Sequence, residues 1–107
     1  MKLTQKNCVP CEGGVPKLTS NEIEAYSREF NEPWEVVEEM KIVKEFQFRD
    51  YISTIDFVNR VAELAEEEGH HPVMHVFFSK VMIELWTHAI LGLSENDFIL
   101  AAKIDEL

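Results

Sequence analysis

The sequence predicts an α+β fold: a four-stranded antiparallel sheet with three helices packed on one face, in the order α-β-β-α-β-β-α. Two observations carry this. Apolar residues alternate with polar ones at a period of two around residues 34–48 and 73–87, and recur at helical spacing in three other stretches. The short strands come in pairs separated by helices, a pattern that favours antiparallel pairing with the helices to one side.

The first helix has a complete start signal. Thr19 is an N-cap with Glu22 three residues later to close a capping box, and Leu18 and Ile23 are spaced as a hydrophobic staple. Ile23, Tyr26 and Phe30 continue the helical period, and Asn31 to Pro33 end it. From Trp34 the period is two: Trp34 and Val36, then Ile42, Lys44, Phe46 and Phe48, around the polar pair Glu38-Glu39, predict a β-hairpin. Asp50 caps a second helix over Tyr51 to Glu68, ended by Gly69, whose stripe of Ile52, Ile55, Val58, Ala62 and Ala65 is expected to pack on the sheet. Two strands follow, about Val73 to Phe78 and Lys80 to Thr87. In the second, Val81, Ile83 and Leu85 point one way and Met82, Glu84 and Trp86 the other. Ser94 caps the last helix, with Asp97 three residues on and Leu93 and Phe98 as a second staple. Residues 1–17, with Pro10, Pro16 and Gly13-Gly14, read as an extended lead-in to a single domain over 18–107.

Composition narrows the function. With 107 residues the chain has the length of one domain, and 46% hydrophobic residues suffice to fill its core. Ten basic against 20 acidic side chains give a net charge of −10, and no segment carries a basic run. Direct nucleic-acid binding, which rests on neutralising phosphates, is therefore not expected. No apolar run approaches a membrane span and no leader segment is evident, so a soluble, cytoplasmic protein is expected.

The chemistry is concentrated. All four histidines, His70, His71, His75 and His88, lie within residues 70–88. A tight turn near Ser79-Lys80 sets the start of the third strand beside the end of the fourth, so His70, His71 and His88 are expected to converge. Imidazole titrates near neutral pH, so one ring donates a proton while a neighbour accepts one. Histidines grouped without a hydroxyl or thiol nucleophile suit proton transfer. Taken singly, each is as readily structural or merely exposed.

The run Glu66-x-x-x-His70-His71-Pro72, then Phe78, then His88 after nine residues and Asp97 after eight more, resembles the signature of the pterin-4a-carbinolamine dehydratases. The likeness continues through Lys80-Val81, Ile83, Leu85, Thr87-His88 and Gly92-Leu93-Ser94-Glu95, and covers roughly residues 18–107. It implies the same sheet with helices on one face. It also implies a hydro-lyase that dehydrates 4a-hydroxytetrahydropterin to the quinonoid dihydropterin, recycling the pterin used by aromatic amino-acid hydroxylases. No cofactor and no metal are implied, because the substrate supplies its own electron push and needs only an acid, a base and orientation. By the resemblance His70 and His71 are the acid–base candidates near the departing hydroxyl. His88 approaches from the other strand, and Glu66, Pro72, Thr87 and Asp97 are candidates for substrate binding.

Several of these residues have an ordinary alternative. Glu66 is one of three consecutive acids at a helix end, Asp97 stands where a carboxylate simply caps a helix, and Thr87 suits a strand. The chain departs from the family pattern at Phe78, often tyrosine, at Val73 and Met74, and at Leu91, commonly small. Trp86 either stacks on a flat heterocycle or buries in a subunit contact. Cys8 and Cys11 form one Cys-x-x-Cys pair remote from the histidines, which makes a zinc site or a redox motif a weak competitor. Some members of the wider family act as dimerisation cofactors of a transcription factor. The alternative to an enzyme is therefore a non-catalytic pterin-binding or partner module, and the resemblance implies homodimers or homotetramers.

Overall fold

Four strands form a single antiparallel sheet in the order β1-β2-β4-β3, where β1 is Glu35–Val37, β2 Lys41–Gln47, β3 Val73–Val76 and β4 Lys80–Leu85. The structure is a computed structural model that describes residues 2–9 and 16–107. Helices α1 (Ser20–Ser27), α2 (Tyr51–Glu68) and α3 (Glu95–Ile104) complete the expected order. The register sets Ile42 opposite Leu85 and Lys44 opposite Ile83. Val81, Ile83 and Leu85 are fully buried and meet Phe98, Leu100 and Ile104 of α3 in one core. Burying such apolar surface is the main drive for folding.

The caps form as their sequences predict. Thr19 accepts from the Glu22 amide while Glu22 reaches back to the Thr19 amide, and Ser94 with Asp97 makes the same box at α3. The Asp50 carboxylate accepts from the Ser53 amide at 2.8 Å, and Gly69 closes α2 in the left-handed region at φ 66°. That conformation is cheap for glycine alone, and it turns the chain so that His70 follows directly. The hairpin between β1 and β2 is less comfortable. Glu38 and Glu39 both have positive φ, 51° and 57°, as a type I′ turn requires, without the glycine or asparagine that accepts it freely. Leu91, at φ 49°, sits in the same left-handed region.

Two expectations are corrected. The buried stripe of α2 is Thr54, Phe57, Val61 and Ala65, whereas Ile52 is 78% exposed and Ala62 is exposed. The helix is rotated by about one residue from the apolar count. Thr54 turns inward because the carbonyls of Asp50 and Phe78, at 2.8 and 3.0 Å, share the single proton of its hydroxyl, and Phe57 packs against Phe46 and Phe48. A satisfied hydroxyl costs little in a core. Within the lead-in, Leu3–Gln5 is not extended but forms a 3-10 turn, and Leu3 is only 3% exposed, sealed into the same core. Pro10, Cys11 and the Gly13-Gly14 pair lie outside the described residues.

Candidate functional site

At the end of the sheet where α2 hands over to β3 and β4 runs out, the chain forms a cleft of about 210 Å³. Its lining includes His70, His71, Trp86, Thr87 and His88. The expected meeting of three histidines therefore occurs in space. His70 and His71 arrive from the Gly69 turn. His88 opens a short 3-10 turn, His88–Ile90, which leaves β4 just past Thr87.

His70 is the fixed member. Its side chain is 11% exposed, and its Nε2 lies 2.6 Å from Oδ1 of Asp97, which is fully buried. The other carboxylate oxygen accepts from the Thr87 hydroxyl and from the Ser94 amide, each at 2.9 Å, and the Thr87 and Ser94 hydroxyls are 2.6 Å apart. The capping reading of Asp97 is realised by one oxygen, on the Ser94 amide, while the other oxygen holds a histidine. A buried carboxylate needs such partners to remain in place. The Thr87 hydroxyl is engaged inside this network, and its backbone bridges Gly92, with its amide donating at 2.8 Å.

His71 is held differently. Its Nε2 is 2.5 Å from Glu66, but the two side chains are 62% and 77% exposed, so water competes with the pair. His88 has a carbon partner instead: its ring stacks on the Trp86 indole at 4.4 Å between centroids and 29° between planes. Lys41 Nζ sits 6.0 Å from the same indole. Trp86 therefore stacks within its own chain, on a histidine of the cleft. Pro72 follows the two histidines at the entry to β3 and does not line the cleft. His75 is on the open face of the sheet, paired with Glu84, away from the other three. Contacts from Lys41 and His75 hold the Glu84 carboxyl below its ordinary range.

Val9 and Asn96 also line the cleft, and neither carries a signal in the sequence. Their approach joins residues 87 positions apart. Nearby, burial and then the charge of Glu68 push the Cys8 thiol up to about 12, which suits a packed thiol better than a reactive one. Cys8 is a free thiol, and Cys11 lies outside the described residues. Among the described residues no group of three or more His, Cys, Asp or Glu side chains is placed to hold a metal ion. No helix among the described residues is long and apolar enough to cross a membrane. A larger groove of about 490 Å³, beside Phe30 and Phe46, holds no histidine, and its Lys44 is already paired with Asp105 at 2.8 Å.

Comparisons with known proteins give the chain's relatives. The family model described as pterin 4 alpha carbinolamine dehydratase matches residues 16–107. A candidate pterin-4-alpha-carbinolamine dehydratase of Rickettsia bellii (strain OSU 85-389) is 47% identical over 98% of this chain and 93% of its own. One from Rubrobacter xylanophilus is 47% identical over 99% and 98%. Among solved structures, a transcriptional coactivator/pterin dehydratase from Brucella melitensis superimposes with a TM-score of 0.79 at 28% identity, covering 85% of this chain and 97% of that one. A pterin dehydratase-like protein identified as a RuBisCO assembly factor in the alpha-carboxysome gives 0.62 at 28% identity, over 71% and 89%.

Proposed function

The chain belongs to the pterin 4 alpha carbinolamine dehydratase family, and from that premise we propose that it dehydrates 4a-hydroxytetrahydropterin to the quinonoid dihydropterin by histidine acid–base catalysis. One observation carries the reading: three imidazoles share a small cleft, and a buried carboxylate fixes one of them. In the reaction the ring-nitrogen lone pair beside the carbinol carbon forms the C=N bond while the C–O bond breaks. An acid protonates the departing hydroxyl, which leaves as water, and a base takes the N–H proton. No electron acceptor is needed.

In this reading His70, His71 and His88 share the two proton transfers. A carboxylate only accepts, so the Nε2 of His70 that faces Asp97 carries a hydrogen and Nδ1 becomes the working nitrogen. Asp97 is a positioning residue, and Thr87 and Ser94 position it in turn. Glu66 orients His71 more loosely, Trp86 supports His88, and Pro72 stiffens the chain leaving the pair. Recycling of hydroxylase pterin in the cytoplasm and assembly into dimers or tetramers belong to the same proposal. Light scattering on the purified protein decides the assembly.

The test is loss of the 4a-hydroxypterin formed by a hydroxylase, followed with and without this protein. Wild type should accelerate it, and His70→Ala and His88→Ala should each lower the acceleration by about 10²–10⁴-fold, the usual worth of a general acid or base. Full activity in the double variant rejects the assigned site. A second reading, a partner module without catalysis, has the exposed Phe77 and Phe78 beside the edge strand β3 in its favour, at 47% and 73% exposure. An inactive wild type that still binds pterin would select it.

A further inference from the structure

Building on the dehydratase reading, we propose that the N-terminal segment Lys2–Val9 is a wall of the histidine cleft and that Val9, held there by Asn96, selects for the carbon substituent on the pterin ring. The segment lies outside residues 16–107, which the family model matches, yet it is tied down along its length. Leu3 is in the core, Lys6 pairs with Glu95 at 2.7 Å, and Lys103 bridges Asn7 and Glu68 at 3.2 and 2.7 Å. The Cys8 amide donates to Glu68 at 2.8 Å.

The last tie is the informative one. Asn96 is only 5% exposed, and its amide grips the backbone of Val9 at both ends. Its Oδ1 accepts from the Val9 amide at 3.0 Å, and its Nδ2 donates to the Val9 carbonyl at 2.6 Å. A buried side-chain amide committed to both polar groups of one residue sets that residue's position closely. Asn96 directly precedes Asp97, so one turn of α3 holds both His70 and the strap. The clamp leaves the Val9 side chain 66% exposed at the rim of the cleft. Exposing an isopropyl group there gives nothing to the fold. The cleft, about 210 Å³, is below the ~300 Å³ at which small-molecule pockets usually begin. It therefore accepts a compact bicyclic ring and leaves a substituent at the rim, where Val9 offers apolar contact.

The experiment measures binding of 7,8-dihydrobiopterin and unsubstituted 7,8-dihydropterin through the change in tryptophan fluorescence of the full chain, in which Trp86 lines the cleft and Trp34 is a constant core background, with KM and kcat for the carbinolamine measured in parallel. Val9→Gly removes an exposed side chain at a small cost in backbone entropy, and a thermal melt run beside it confirms that the fold is kept. It should weaken the substituted ligand by about fivefold, leave the unsubstituted one within about twofold, and raise KM with kcat held. Asn96→Ala should give the same selective loss, about tenfold, because it frees the whole strap. Equal loss for both ligands, or wild-type selectivity in Val9→Gly, overturns the wall. A wild type that turns over the carbinolamine while selectivity is indifferent to Val9 rejects this inference alone. A wild type that neither binds nor dehydrates rejects the function and the inference with it.

Discussion

His70–Asp97 and His71–Glu66 are the same chemical pair one residue apart, at 2.6 and 2.5 Å, yet they differ in everything that makes a pair useful. Asp97 has no exposed surface and two further donors; Glu66 is 77% exposed with none beyond His71. Buried, the first pair has a single geometry to adopt. The second competes with water and contributes little to stability. Distance alone does not distinguish them; burial and the next layer of partners do.

The largest expected effect breaks the first pair. Asp97→Ala should cost about 3 kcal/mol in denaturant unfolding, since it leaves the buried Ser94 amide and the His70 Nε2 without their acceptor. Asp97→Asn keeps the shape and should fold, but with His70 in the wrong tautomer it should dehydrate about a hundredfold more slowly. Glu66→Gln, the matched change in the second pair, should stay within about threefold of wild type, as befits an exposed partner. An equal loss in both would show that burial is not what separates them.

Trp86→Leu lies between the pairs in size. Without the stacked indole His88 should lose its fixed orientation, lowering kcat by about tenfold, less than the loss of His88 itself.

Glu68 sharpens the comparison on stability. Although burial pushes its carboxyl up, the Cys8 amide and Lys103 outweigh burial and hold it below the usual carboxylate value of 4.5. Its folded-state value being depressed, its contribution is complete above about 4.5 and is lost as pH falls through the lower folded value. Glu68→Gln should cost about 1 kcal/mol at pH 7, and the gap from wild type in urea titrations should narrow as pH falls below the ordinary carboxylate range.

Two further effects lie outside the paired histidines and concern accessibility and turns. With its thiol at about 12, Cys8 should alkylate about a thousandfold more slowly in the native chain than unfolded at pH 8, by peptide mapping. Leu91→Gly should raise stability by about 1 kcal/mol, relieving a left-handed leucine.

Much of this was legible in the sequence because it is local. The capping boxes at Thr19 and Ser94, the Gly69 stop and the alternation in Lys80–Leu85 depend on neighbours within four residues. The α2 face was misread because Ile52 counts as apolar wherever it stands, while Thr54 is buried only through a carbonyl 24 residues away, at Phe78. The three histidines could be grouped because a turn and two short strands bring them together, and Asp97 joined them only through the family resemblance. Val9 and Asn96 could not, since nothing local records a contact between the first and last segments of the chain.

The sequence by itself therefore determined the order of elements, the antiparallel hairpins and the convergence of His70, His71 and His88, all consequences of short-range periodicity and spacing, while its resemblance to known chains carried the family. Only the tertiary structure decided which histidine is held by a buried carboxylate, which side of α2 faces the sheet, and that the N-terminal segment walls the cleft. Those outcomes depend on burial and on hydrogen bonds between distant residues, which exist only once the core has closed.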